Sequence, residues 1–238
     1  MKKFSLYLLI IICFQLSAQN INTSSTGGLD SRVTEAFTRM RNKIGVNKVS
    51  SQKISGSPYF NEEFQKSSIV YFDKKLKEQV FLRYNAFSDE IEMKENKTSH
   101  SDQALLKNSK IHCAINGVTY KYLPIPQGDQ RFEKAGYIKE VYKGDVFDLY
   151  LRQRKIYREG KKARTSLEQS FPPRFVDFSA WFYQTKSSGL KRFKPNKKEI
   201  KKIFKSKSSI LAVYLKENKI DFKNETELKN LFSYLDRN

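Results

Sequence analysis

His112-Cys113 sets an imidazole beside a thiol, the residue types of a base and its nucleophile. The pair lies in the β-rich run "KIHCAI", where neighbouring side chains point to opposite faces of a strand and cannot share a hydrogen bond. Cys113 is therefore expected as a small buried hydrophobe. His100 lies in a polar, Ser-rich stretch and is expected in solvent. With only two histidines, a metal site built on several His or Cys ligands is not available, and no metal or cofactor is expected. The chain also has no G-x-S-x-G elbow, no Gly-rich phosphate loop and no H-E-x-x-H.

"LRYNAFSDEIEMK" (82–94) gathers Asp89, Glu90 and Glu92 within four positions. Paired carboxylates can hydrolyse glycosidic bonds, and Asp73, Asp145, Asp148 and Asp177 are further acids that a fold could bring together. The competing reading is a charge-balanced hairpin. With Ser88-Asp89 as the turn, Ala86 meets Ile91 and Tyr84 meets Met93. Leu82, Tyr84, Ala86, Ile91 and Met93 then share one face, while Arg83, Glu90, Glu92 and Lys94 share the other. Asp89 becomes a turn residue, and Glu92 falls within diagonal reach of Arg83.

For binding, the strongest stretch is "LRQRKIYREGKKAR" (151–164), which ends one strand and enters a loop. Arg152, Arg154, Arg158, Lys161, Lys162 and Arg164 are candidate polyanion-binding residues, with Tyr157 as a stacking ring. A solvated, solubilising loop is the alternative. The lysine runs near the C-terminus read as polar helix faces. Trp181 and Tyr183, opposite the more regular apolar face of their strand, are expected to be buried under helices.

The net charge of +20 favours polyanionic partners: lipopolysaccharide phosphates, anionic lipid or acidic glycans. Lys2 and Lys3, an apolar run from Phe4 to Leu16 and Ser17-Ala18 read as a signal peptide over 1–18. The run is short of the ~20 residues that span a bilayer, and no later stretch is a transmembrane candidate. Cleavage removes Cys13 and leaves Cys113 alone, so no internal disulfide is possible. Export implies a periplasmic, extracellular or outer-membrane-associated location and disfavours intracellular nucleic acid as a partner.

The elements that must position these groups follow from periodicity. Residues 19–29 form a flexible lead-in. Val33, Phe37, Met40 and Ile44 predict a helix over 30–44. From about 53 to 193 the period is two. Asn116-Gly117 predicts a type I′ hairpin with Ile115 opposite Val118 and Cys113 opposite Tyr120; Pro124 and Pro126 are expected to end that second strand. Residues 146–157 and 174–185 read as long strands, and Glu95 to Lys110 as a polar loop. In the tail, Asn196 with Glu199 and Asn224 with Glu227 are helix caps. Leu228, Leu231, Phe232 and Leu235 form one apolar stripe; Ile210, Val213 and Tyr214 form another. The fold class is mainly β with α: an antiparallel meander of eight or more strands forming a curved sheet or partly closed barrel, or alternatively a sandwich. One N-terminal helix and two or three C-terminal helices complete it, with 30–193 as the helix-plus-β domain and 194–238 packed on it.

"LSAQ", "GSPYFNEEF" (56–64), "LRYNAFSDEIEMK" (82–94) and the tail from "KKEIKKIF" to "NLFSYLD" resemble an uncharacterised family of exported, signal-peptide-bearing Bacteroidetes proteins. The resemblance implies an envelope location and no catalytic residue. The functional expectation is a soluble, non-catalytic envelope protein, a binding or accessory module partnered by anionic envelope components or an envelope protein. The alternatives are a polyanion-, lipid- or glycan-binding barrel using 151–164, and a hydrolase with dispersed carboxylates.

Overall fold

A computed structural model of the chain describes residues 41–43, 54–76, 79–94, 96, 98, 103–127 and 130–238. The strands are β1 (Arg41–Lys43), β2 (Gln65–Tyr71), β3 (Lys74–Lys75), β4 (Val80–Asn85), β5 (Glu90–Lys94), β6 (Gln103–Leu105) and β7 (Ile111–Ile115). They continue as β8 (Val118–Gln127), β9 (Gln130–Lys143), β10 (Phe147–Arg152), β11 (Lys155–Arg158), β12 (Arg174–Asp177), β13 (Ala180–Thr185) and β14 (Ser188–Phe193). Helices α1 (Lys197–Ile203), α2 (Ser208–Glu217) and α3 (Glu225–Arg237) follow. Twelve strands form one curved, unclosed sheet in the order β1-β6-β5-β4-β2-β7-β8-β9-β10-β13-β14, with β3 paired to β2. Strands β11 and β12 form a separate two-stranded sheet.

The fold class read from the sequence holds. The hairpin at Asn116-Gly117 has φ of 48° and 79° at its two turn residues, and Cys113 pairs with Tyr120 as expected. Both helix caps form: the Asn196 side chain accepts from Glu199 N, and that of Asn224 from Thr226 N and Glu227 N.

Other expectations need correction. Arg41–Lys43, near the end of the expected 30–44 helix, pair as a strand with β6; the rest of that segment lies outside the described residues. β6 itself interrupts the expected polar loop because Ala104 and Leu105 are buried. Strand β8 runs through Pro124 and Pro126. It can do so because β7 pairs with β8 only up to Lys121, so the missing proline N–H groups face an open edge. In α2 the buried residue is Leu211, and Val213 points outward, being 49% exposed.

The two halves of the sheet are buried differently. At the N-terminal end no described helix covers the sheet, and Ile69, Leu82, Ile91, Met93, Ile111 and Cys113 are at most 1% exposed. Curvature brings these strands and Tyr137 of β9 around one core. At the other end, Phe147, Leu149, Leu151, Trp181 and Phe193 are covered by α1–α3 through Ile200, Phe204, Leu211, Leu228, Leu231, Phe232 and Leu235. Trp181 is thus buried beneath the helices, as expected. The opposite face of this half carries a smaller cluster of Ile125, Ile138, Tyr150 and Phe182. No described helix is long and apolar enough to cross a membrane.

Asp236 ties α3 to the β9–β10 turn. Its carboxylate accepts from the backbone N–H of Asp145 (2.6 Å), Val146 (2.9 Å) and Phe147 (2.8 Å). Burial pushes this carboxyl up, but the three N–H groups outweigh burial and hold it below the ordinary aspartate range. A depressed folded-state value contributes stability above the unfolded value and loses it as pH falls through the folded one. Asp236→Asn is therefore expected to be less stable at pH 7 and to lose less further stability between about pH 5 and pH 2. Urea unfolding at stepped pH checks this; parallel profiles for both proteins contradict it.

Candidate functional site

The acid cluster resolves into two structural sites. The β4–β5 turn spans four residues, Ala86–Asp89, so Tyr84 pairs with Ile91 and Leu82 with Met93. This register differs by two residues from the expected one, which preserves every face but puts Arg83 directly opposite Glu92. Glu92 is 3% exposed. Its Oε2 accepts from Arg83 Nε (2.9 Å) and Nη2 (2.5 Å). Its Oε1 accepts from the Tyr59 hydroxyl (2.8 Å) and Asn85 Nδ2 (2.9 Å). With four donors around it, this carboxylate is saturated and holds Tyr59, while Arg83 Nη1 donates to Glu62 O (2.8 Å). Burial, then the bond to Glu92, pushes the Tyr59 phenol up to about 12.

Asp89 does more than turn the chain. Its φ of 58° is left-handed, and its side chain is 12% exposed. Oδ1 accepts from the Tyr84 hydroxyl (2.7 Å) and Tyr137 N–H (3.2 Å). Oδ2 lies 3.6 Å from Arg152 Nη2 and 3.7 Å from Arg154 Nη1. Gly136 makes room for the group: a Cβ there would sit 2.7 Å from Asp89 Oδ2 and 2.8 Å from Arg152 Nη2.

The basic stretch is split by a break in the long strands. β10 and β13 pair up to Arg152 and Ala180, and β11 and β12 resume pairing at Lys155 and Asp177. Between them the Arg154 N–H turns to Ser179 Oγ (3.3 Å), and Lys155 N–H finds a new acceptor in Ala86 O (3.0 Å). Lys155 thus meets the β4–β5 turn on the side where β10 pairs with β9, and β11 and β12 leave the main sheet as a hairpin of their own. Arg152 and Arg154 consequently point inward at the bend. Arg158, Lys161, Lys162 and Arg164 lie on an exposed flap beyond it. Tyr157 packs edge-on against Phe175, with ring centroids 5.9 Å apart.

A cleft of about 480 Å³ opens at the bend, within the usual range of small-molecule sites. Lys134, Arg152, Arg154 and Arg192 line it, over a floor of Ile125, Pro126, Ile156, Phe178, Ala180 and Phe182. None of its described lining residues is acidic. Arg152 Nε and Arg154 Nη1 are buried without a hydrogen-bond partner; Asp89 Oδ2 meets Arg152 at Nη2 and Arg154 at Nη1, both at ion-pair rather than hydrogen-bond distance. Sequence reading missed Lys134 and Arg192. They come from distant strands, and only the register of β8, β9, β10, β13 and β14 brings them beside the two arginines.

The remaining candidates stand apart. Cys113 is 1% exposed, and burial pushes its thiol up. Burial and Lys121 pull His112 down. Asp148 meets Lys143 (3.1 Å), and Asp177 accepts from the Ser179 hydroxyl (2.6 Å). No group of three or more His, Cys, Asp or Glu suited to a metal occurs among the described residues. Compared with known proteins, the chain matches no family model, no curated protein and no solved structure.

Proposed function

We propose that this chain is an exported, non-catalytic binding protein of the cell envelope, and that its ligand is an organic anion with an apolar part. The observation that carries this reading is the cleft at the bend. It gathers Lys134, Arg152, Arg154 and Arg192 around an apolar floor, and two of its buried guanidinium nitrogens lack hydrogen-bond partners. A carboxylate or phosphate there gains charge-assisted hydrogen bonds from planar donors. Phe178 and Phe182 suit an acyl or aryl group attached to that anion. The apparent signal peptide and the +20 charge support an extracytoplasmic role among anionic amphiphiles.

Titration with dodecanoate, dodecanol and acetate tests both halves of the ligand. Dodecanoate is expected to bind, with dodecanol and acetate each weaker by about tenfold or more. Lys134→Ser combined with Arg192→Ser should weaken dodecanoate by about tenfold while leaving the circular dichroism spectrum unchanged. Equal binding of dodecanol and dodecanoate, or an unchanged affinity in the double variant, contradicts the assignment.

A further inference from the structure

The flap beyond the bend is built for a different contact. Its arms are held by reciprocal backbone bonds between Lys161 and Phe171 (2.9 and 2.8 Å). Its tip is ordered by Ala163 N–H donating to Ser170 Oγ (2.9 Å), Arg164 N–H to Glu168 Oε2 (3.2 Å) and Glu168 N–H to Thr165 O (3.2 Å). This ordered tip presents Leu167 at 97% exposure. Every residue from Arg158 to Pro172 except Glu168 is exposed, so the flap projects from the body. Five basic residues lie on it, Arg158, Lys161, Lys162, Arg164 and Arg174, against the acids Glu159 and Glu168. Glu168 is engaged by Lys161 at 3.3 Å.

A lone exposed leucine means little by itself. Here it stands at the point of a projection ringed by cations. We infer that the flap docks the protein on an anionic lipid bilayer, with Leu167 entering the headgroup–acyl boundary and the surrounding basic side chains meeting lipid phosphates. A glycan polyanion would use the same charges but has no use for the leucine. Arg154, Ile156 and Phe178 line the cleft at the root of this flap, so docking would set the cleft mouth near the lipid surface. The inference stands on the flap alone and holds whether or not the cleft takes the proposed ligand.

The full chain carrying Leu167→Trp provides a local reporter, because the native Trp181 is 8% exposed beneath the helices. On vesicles of phosphatidylcholine with roughly a third phosphatidylglycerol, the new indole is expected to shift to the blue and to be quenched by brominated acyl chains. Pure phosphatidylcholine should give neither effect. Changing Arg158, Lys161, Lys162 and Arg164 to Ser should weaken vesicle binding by roughly fivefold for each charge removed. An indole that stays in water while the protein is vesicle-bound overturns the inference, as does equal insertion into neutral vesicles or no binding. Heparin binding unaffected by Leu167→Asp, without lipid insertion, would assign the flap to a glycan instead.

Discussion

Asp89→Ala is expected to destabilise the protein by about 4 kcal/mol, and Asp89→Asn by about 2 kcal/mol. Alanine removes the buried acceptor of the Tyr137 N–H and the nearer of two acceptors of the Tyr84 hydroxyl, leaving it Gln153 O at 2.9 Å. It also leaves Arg152 and Arg154, with side chains 11% and 24% exposed, facing each other without a counter-charge. A left-handed alanine at φ 58° adds about 1 kcal/mol that asparagine largely avoids. Asparagine keeps Oδ1 and the turn and removes only the charge, so the difference between the variants separates hydrogen bonding and backbone from ion pairing. Urea unfolding with an unchanged m-value gives both numbers. A cost below about 1 kcal/mol for alanine would reduce Asp89 to a simple turn residue.

Phe232→Ala is expected to cost about 4 kcal/mol. The ring is fully buried and packs against Phe204 (4.9 Å between centroids), Phe193 (6.2 Å) and Phe147 (6.5 Å). It therefore joins α3 to α1 and to two strands at one point. Because the cavity would open between the helices and the sheet, the helical and sheet signals should unfold together in the variant as in the parent. Val213→Ala on the exposed face of α2 is the control, expected within about 0.5 kcal/mol of zero. A small loss for Phe232→Ala, or helices that melt in a separate earlier step, would make 197–237 an appendage rather than the cover of the sheet.

The legible parts of this fold are those written in adjacent residues. Asn116-Gly117 sets its own register because both residues accept positive φ, and Asn196 and Asn224 cap their helices with bonds to residues two or three places away. The Leu228, Leu231, Phe232 and Leu235 stripe was plain because α3 buries one uninterrupted face. Face assignments in "LRYNAFSDEIEMK" survived a two-residue error in register because a strand repeats every two residues. The strand break at Gln153-Arg154 was not legible. Alternation continues through it, and its cause is Ala86 O, an acceptor on a distant turn. The cleft shares that origin. Its arginines were identified as basic, but their confinement depends on Asp89 and Gly136, and its other cations come from β9 and β14. An excess of positive charge pointed to an anion; only the tertiary pairing separates the inward arginines from the outward flap.

The most direct test of the cleft assignment is calorimetric titration of dodecanoate into Asp89→Asn beside the parent protein. Asp89 is the one carboxylate that meets Arg152 and Arg154 among the described residues, so neutralising it should leave both guanidiniums to the ligand. The expected result is a less stable protein that binds dodecanoate about tenfold more tightly, roughly 1.4 kcal/mol. An unchanged or weaker affinity, in a variant that is folded by circular dichroism, would contradict an anion-binding cleft at this bend.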